Sequence, residues 1–155
     1  MQIVHTLSEQ PRDPDLGFLK LETIQDQESP FEDNLEAIQA LETEARILLA
    51  IGRKRTVANL PGNDRQEAEE MATYAGTMAD SCGQELLEEL LTRARQAFQQ
   101  RVAKSGEAGV EVLFDRLCTA YDLDLNERSI VLLLFMCCSS QGFRTLYGQL
   151  LPRAF

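Results

Sequence analysis

The sequence predicts an all-α fold: a single domain of about six helices around a central apolar helix, preceded by an extended N-terminal arm. Apolar residues recur every three or four positions over most of the chain, which is the period of one helix face. Three segments begin with a Ser-x-x-Glu or Asp-x-x-Glu pattern, at Ser29, Asp64 and Asp124, and such pairs cap helix N-termini. No segment shows the apolar and polar alternation of a half-buried strand.

The predicted arm comprises residues 1–28, and the predicted helical domain comprises residues 29–155. Two prolines and Gly17 interrupt any helical period in the arm. Residues 16–22 nevertheless carry enough apolar side chains to dock on a surface, either as a short strand or as one helical turn.

The first helix of the domain begins at the capping box of Ser29 and Glu32, with Pro30 at the first helical position. Its predicted apolar stripe consists of Leu35, Ile38, Leu41, Ala45 and Leu48. The basic run at residues 53–55 ends the helix. These cations either face the negative end of the helix dipole or form a small anion-binding patch, and we favour the first because three charges make a weak anion site.

A second helix is predicted from the cap at Asp64 and Glu67 to a break at Gly83. One of its faces consists of small residues and methionines: Ala68, Met71, Ala72, Ala75, Met78, Ala79 and Cys82. Because small residues let a neighbouring helix approach closely, we favour a core face over a methionine-lined binding groove.

Four more helices are predicted at residues 84–104, 107–121, 125–139 and 141–151. In the first of them Arg101 lies on the charged side, opposite the apolar stripe. The residues expected to face inward in the others are Val110, Leu113, Phe114, Leu117, Cys118 and Tyr121, followed by Phe143, Leu146, Tyr147 and Leu150. The helix at 125–139 is apolar all round, so we expect protein to enclose it. A buried strand is the rival interpretation, but the Asp124 cap favours a helix.

The charge excludes several classes of partner. The chain has 25 acidic and 15 basic residues, a net charge of −10, and residues 1–50 hold 11 of the acids and 3 of the bases. Nucleic acids and anionic membranes bind basic surfaces, so neither is an expected partner. The longest strictly apolar run has nine residues, 130–138, against about 20 for a bilayer span. No secretory signal precedes it, and we expect a cytoplasmic protein.

Catalytic and metal-binding chemistry is not expected either. The four cysteines, Cys82, Cys118, Cys137 and Cys138, form no CxxC pair, and the single histidine is His5. We interpret the thiols as small buried hydrophobes, with redox activity of the vicinal pair as the weaker alternative. The sequence contains no Walker A, GxGxxG or GxSxG motif. We therefore predict no enzyme, no catalytic residue, no cofactor and no metal.

Residues 98–151 carry a pattern of leucine and tyrosine positions together with Arg101 and Glu127. Its members are Arg101, Leu113, Leu117, Tyr121, Leu123, Glu127, Leu132, Leu133, Leu134, Leu146, Tyr147 and Leu150. This segment resembles the N-terminal helical domain, labelled winged-helix-like, that precedes the ATPase module in a group of bacterial AAA+ ATPases. The resemblance implies a non-catalytic domain that recruits a partner or substrate to a hexameric ATPase of the remodelling or contractile-injection type.

The expected partner is a protein with a basic segment, which the acidic surface would select. Either a helix groove or the apolar part of the arm would hold it, and the candidate arm residues are Phe18, Leu19 and Leu21. If the arm packs on its own domain, these residues are only structural. Self-association and binding to the ATPase module stay open.

Three other functions compete with this interpretation. The chain could be a stand-alone acidic adaptor or structural protein. A DNA-binding winged helix is less favoured, because residues 53–55 form the one basic cluster. An enzymatic helical bundle would need inward carboxylates with raised pKa values.

Overall fold

The computed structural model describes residues 16–25, 28–58, 62 and 82–150, and in that part of the chain the fold is all-α, as predicted. Five α-helices and no β-strand occur in these ranges: α1 Asn34–Ala58, α2 Gln84–Glu107, α3 Leu113–Ala120, α4 Leu125–Ser139 and α5 Gln141–Leu150. Two short 3-10 helices, Gly17–Leu19 and Leu21–Ile24, precede them. The helix predicted from Asp64 and most of the arm lie outside the described residues.

Helix α1 is the centre of the described fold. It packs against α2, α4, α5 and both 3-10 helices. Between Thr43 and Ile51 nearly every side chain is buried, because neighbours cover the helix on several sides. Leu35, which the apolar stripe placed inside, is exposed instead. It lies in the first turn of α1, which begins at Asn34 and not at the predicted capping box of Ser29 and Glu32. Asp33 accepts from the Glu36 N–H at 2.9 Å instead.

Helix α4 is not enclosed, contrary to the prediction for residues 125–139. Its buried residues are Arg128, Leu132 and Met136, which are four positions apart and so form one line along the helix. The opposite side carries Ile130 and Leu134, which are 58% and 64% exposed. Only one side of α4 therefore meets the rest of the described protein.

The N-terminus of α4 confirms the predicted cap. The Asp124 carboxylate accepts hydrogen bonds from the backbone N–H groups of Asn126 and Glu127, at 2.8 and 2.9 Å. In return the Glu127 side chain accepts from the backbone N–H of Asp124 at 2.9 Å. This reciprocal pairing satisfies three backbone donors, and it fixes a helix rather than a strand over the apolar run.

Three buried arginine side chains reach backbone carbonyls of other segments. Arg46 of α1 donates to the carbonyl of Phe18 at 2.9 Å, and Arg53 donates to that of Leu150 at 2.9 Å. Arg101 of α2 donates to the carbonyl of Ser29 at 3.0 Å. All three arginines are buried, so the prediction that Arg101 lies on a solvated face was wrong. The helix period could not reveal this, because the partner is a carbonyl 72 residues away in the chain.

A buried ion cluster joins α1, α2 and α4. Glu44 is 1% exposed, and both terminal nitrogens of Arg128 donate to its carboxylate, Nη2 at 3.0 Å. Arg95 donates to the same carboxylate at 3.1 Å and to the Ser129 hydroxyl at 2.9 Å. The Arg128 guanidinium also lies over the ring of Phe114 at 5.3 Å. One carboxylate therefore holds two arginines from two different helices.

Candidate interaction surface

The three arm residues predicted to bind a partner lie against the domain itself. Leu19 is completely buried in the core, and Phe18 and Leu21 are partly buried beside it. The Thr43 hydroxyl donates to the Lys20 carbonyl at 2.9 Å and helps to hold the segment on α1. This is the arrangement that an arm packed on its own domain would have. A partner contact by Phe18 and Leu21 stays a prediction.

The described apolar residues that do face solvent are concentrated near the other end of the chain. Of the nine large exposed hydrophobic side chains in the described ranges, eight belong to residues 113–147. We call them the α3–α5 apolar surface: Leu113, Leu117, Tyr121, Leu125, Ile130, Leu134, Phe135 and Tyr147. The sequence predicted Leu113, Leu117, Tyr121 and Tyr147 to face inward, and that was wrong.

The position of α3 explains this exposure. Asn34 at the start of α1 accepts a hydrogen bond from the Leu113 N–H at 2.9 Å and donates to the Glu111 carbonyl at 3.1 Å. Phe114 then packs beside Phe135 of α4, with the ring centroids 6.5 Å apart. No residue of α3 is fully buried. The line of Leu113, Leu117 and Tyr121, at four-residue spacing, therefore remains outside.

A shallow groove lies between α4 and α5. Its walls are apolar and aromatic, its volume is about 190 Å³, and its lining residues are Ile130, Leu133, Leu134, Cys137 and Tyr147. Leu133 and Cys137 form the partly buried floor, and the exposed Ile130 and Leu134 stand one helical turn apart at the rim. A row of apolar side chains from another helix could fit between them.

A second depression lies between the end of α2 and α3. Its volume is about 400 Å³, and Val102, Val110 and Val112 contribute apolar side chains to it. Glu111 and Arg116 also line it, and their side chains pair at 3.0 Å. This exposed ion pair makes the depression more polar than the α4–α5 groove.

Acidic side chains surround the start of α4. Asp115, Asp122, Asp124 and Glu127 have no ion-pair partner among the cations of the described residues. Arg128 is buried against Glu44 and does not offset them at the surface. The apolar surface therefore has a negatively charged border at the α3–α4 turn.

The basic run at residues 53–55 is divided between the interior and the surface. Arg53 is buried against the end of α5. Arg55 is exposed and lies 3.7 Å from Glu88 at the start of α2. Arg53 and Arg55 thus contact groups of the domain itself, which does not favour a shared anion-binding patch.

The cysteines differ in exposure, and none of the four forms a disulfide. Cys82 is buried, as predicted for a small hydrophobe, whereas Cys138 is exposed. Burial raises the pKa of the Cys118 and Cys137 thiols above the ordinary cysteine value, which lowers the reactive thiolate fraction at neutral pH. In the described ranges no group of three His, Cys, Asp or Glu side chains is placed to hold a metal ion.

Among the described residues no single helix is both long enough and apolar enough to cross a membrane. Helices α4 and α5 meet these criteria only when taken together, and the chain bends by 118° between them.

Comparison with known proteins assigns the family. No curated protein and no solved structure shows a significant match to this chain. A family model described as "Winged helix domain, variant" matches residues 21–154. That range includes α1 to α5 and most of the chain. The chain therefore belongs to the variant winged helix domain family.

Proposed function

We propose that this winged helix domain is a non-catalytic interaction module that recruits a protein partner or substrate to an AAA+ ATPase. The observation that carries the proposal is the α3–α5 apolar surface, which leaves eight large hydrophobic side chains in solvent. Exposed apolar residues that cluster in one part of a small domain are typical of protein interaction sites. The proposal assigns no catalytic residue, metal or cofactor to this chain.

Protein binding is favoured over DNA binding by the character of α4. Helices α3 and α4 are joined by four residues, 121–124, as in a helix-turn-helix unit. In DNA readers of that kind the second helix presents polar and basic side chains to base edges and phosphates. Helix α4 presents Ile130 and Leu134, and its one cation, Arg128, is buried. A surface of this kind suits an apolar partner.

The ATPase part of the proposal rests on the resemblance of residues 98–151 to AAA+ N-terminal domains. The test is the reading frame that encodes the chain. A Walker A loop within roughly the next hundred codons would place the domain on an ATPase. A stop codon directly after Phe155 would contradict a fused ATPase and favour a stand-alone acidic adaptor. Pull-downs with the native protein, with and without the domain, would then identify what it recruits.

DNA binding is the second candidate, because the chain belongs to a winged helix family and winged helix domains commonly bind DNA. Retention on a DNA column at low salt, lost as salt rises, would support it. We expect the chain, with its net charge of −10, to flow through.

A further inference from the structure

We propose that the α4–α5 groove binds an amphipathic helix whose apolar face carries residues one turn apart and whose polar face is basic. This inference rests on the proposed recruiting function and names the chemistry of the recruited segment. The site is the groove lined by Ile130, Leu133, Leu134, Cys137 and Tyr147.

The shape of the groove favours a helix as its occupant. Ile130 and Leu134 are separated by one turn of α4, and Tyr147 stands on α5 across the groove. Side chains at positions i, i+3, i+4 and i+7 of a second helix would lie along such a row. The exposed strip continues to Cys138, one turn beyond Leu134. An occupant of three turns would cover the whole row.

The charges at the α3–α4 end of the groove favour basic residues at that end of the occupant; the cation at the other end is the exposed Arg144 of α5, which donates to the Cys137 carbonyl at 2.8 Å. Asp122, Asp124 and Glu127 lie just before Ile130 in the chain and are exposed. Among the described cations none forms an ion pair with them. Lysine or arginine next to the apolar face of the partner would meet these carboxylates. The acidic chain would also attract such a segment over a distance at low salt.

The net charge disfavours a second copy of the chain in the groove. Each molecule carries a net charge of −10, so two copies repel each other, whereas a basic segment is attracted.

The test uses two synthetic helical peptides of roughly 16 residues that share one leucine face. One carries lysine on its polar face and the other carries glutamate. Each is titrated against the full chain by fluorescence anisotropy, with the Leu134→Glu variant in parallel. Gln99→Glu is the matched control, because Gln99 is exposed on α2 and the substitution adds the same charge.

We expect the lysine peptide to bind at least about tenfold more tightly than the glutamate peptide. Leu134→Glu should weaken binding of the lysine peptide by about tenfold or more, because the apolar contact that the peptide makes with Leu134 is lost. Gln99→Glu should not weaken it. Asp122→Asn, which keeps a residue that tolerates the left-handed backbone at φ 50°, should reduce affinity by about two- to threefold and lower the salt dependence.

Equal weakening by Leu134→Glu and Gln99→Glu would overturn the groove as the site. Equal affinity for the two peptides would overturn the basic occupant. Concentration-dependent dimerisation in sedimentation that Leu134→Glu abolishes would assign the groove to a second copy instead. If circular dichroism shows that Leu134→Glu is unfolded, Ile130→Gln serves as the second variant. Failure of the peptides leaves the ATPase reading frame untouched, so this inference and the proposed function fail separately.

Discussion

The α1–α2 pair and the α3–α5 segment use similar apolar sequences in opposite ways. Helices α1 and α2 bury their apolar stripes against each other, and Arg46, Arg53 and Arg101 bridge them to the rest of the fold. Helix α3 buries no residue fully and α4 buries three. The difference teaches that an apolar helix face in a sequence does not identify what covers it. The face can pack on its own domain or, as we propose for α4, on another protein.

The two regions also differ in where their charged side chains lie. The half of the domain with the buried stripes also buries ionic groups, and Glu44 lies at their centre. The half with the exposed leucines keeps its carboxylates at the surface, around the α3–α4 turn. The buried side chains of α1, α2 and the inner side of α4 stabilise the fold, and we propose that the exposed side of α3–α5 provides contact area for a partner. Four experiments sharpen this contrast.

The largest effect is expected for Glu44→Ala. It leaves Arg128 buried without its counter-ion and removes one partner of Arg95. The free energy of unfolding should fall by about 3–5 kcal/mol, measured by urea titration. The control is Glu89→Ala, an exposed carboxylate on α2, which should change it by less than about 0.5 kcal/mol. Equal losses in the two variants would contradict the role of Glu44.

Leu132→Ala and Leu134→Ala compare the two sides of α4 directly. Leu132 is fully buried and Leu134 faces solvent. The first substitution should lower the free energy of unfolding by about 2–5 kcal/mol, because it leaves a cavity. The second should cost under about 1 kcal/mol. A large loss for Leu134→Ala in the same urea titration would mean that another part of the chain covers this face.

Arg101→Lys tests whether geometry or charge holds α2 to the start of the domain. Arg101 donates to Ser29, donates to Glu36 at 2.5 Å and stacks 4.1 Å from the centre of the Phe31 ring. Lysine keeps the charge but cannot make all three contacts. We expect a loss of about 1–3 kcal/mol in the free energy of unfolding. Arg93→Lys, at an exposed position, should be neutral; an equally neutral Arg101→Lys would show that charge alone is sufficient at residue 101.

The smallest effect is expected from pH. Burial raises the pKa of Glu42, but the hydrogen bonds and charge of Arg46, with Lys20, outweigh burial and hold that pKa below the usual glutamate value. Burial also raises the pKa of Glu36, but the hydrogen bond from the Glu32 N–H and the hydrogen bond and charge of Arg101 outweigh burial. The pKa of Glu36 is therefore also below the usual glutamate value. A lowered folded pKa gives stability that is present above about pH 4.3 and is lost as pH falls through the folded value.

Thermal unfolding between about pH 3 and pH 6 checks this effect. The wild-type melting temperature should fall steadily below about pH 4.5. In a Glu36→Gln, Glu42→Gln double variant the decline should be shallower over the same range. Parallel curves for the two proteins would show that these two carboxylates do not contribute to acid sensitivity.

The sequence allowed the fold class and several helix bounds to be predicted, because capping and periodicity are local. The cap at Asp124 and the helix starting at residue 84 were predicted closely. The centre of the fold was assigned to residues 125–139, although α1 holds it. Hydropathy points to the most apolar helix as the central one, whereas the helix that is central in the fold is the one with the most neighbouring elements.

The candidate surface was harder to predict for the same reason. Leu117 and Leu132 look alike in the sequence, and their different exposure depends on which helix lies opposite. Glu44 and Arg128 are 84 residues apart, so local charge patterns could not identify them as a buried pair. Leu19 was predicted to dock either on a protein partner or on its own domain, and the sequence could not decide between them; in the structure Leu19 is buried in the core.

The central claim is that a partner protein binds to the exposed side of α4, and the most direct test compares what variants of this side capture. Wild type, Leu134→Glu and Gln99→Glu are immobilised, and bound proteins from a lysate of the source organism are compared by quantitative mass spectrometry. We predict that at least one protein is held by wild type and Gln99→Glu and is depleted about tenfold by Leu134→Glu. Indistinguishable sets of proteins on all three would contradict the claim that the α3–α5 apolar surface is the binding face.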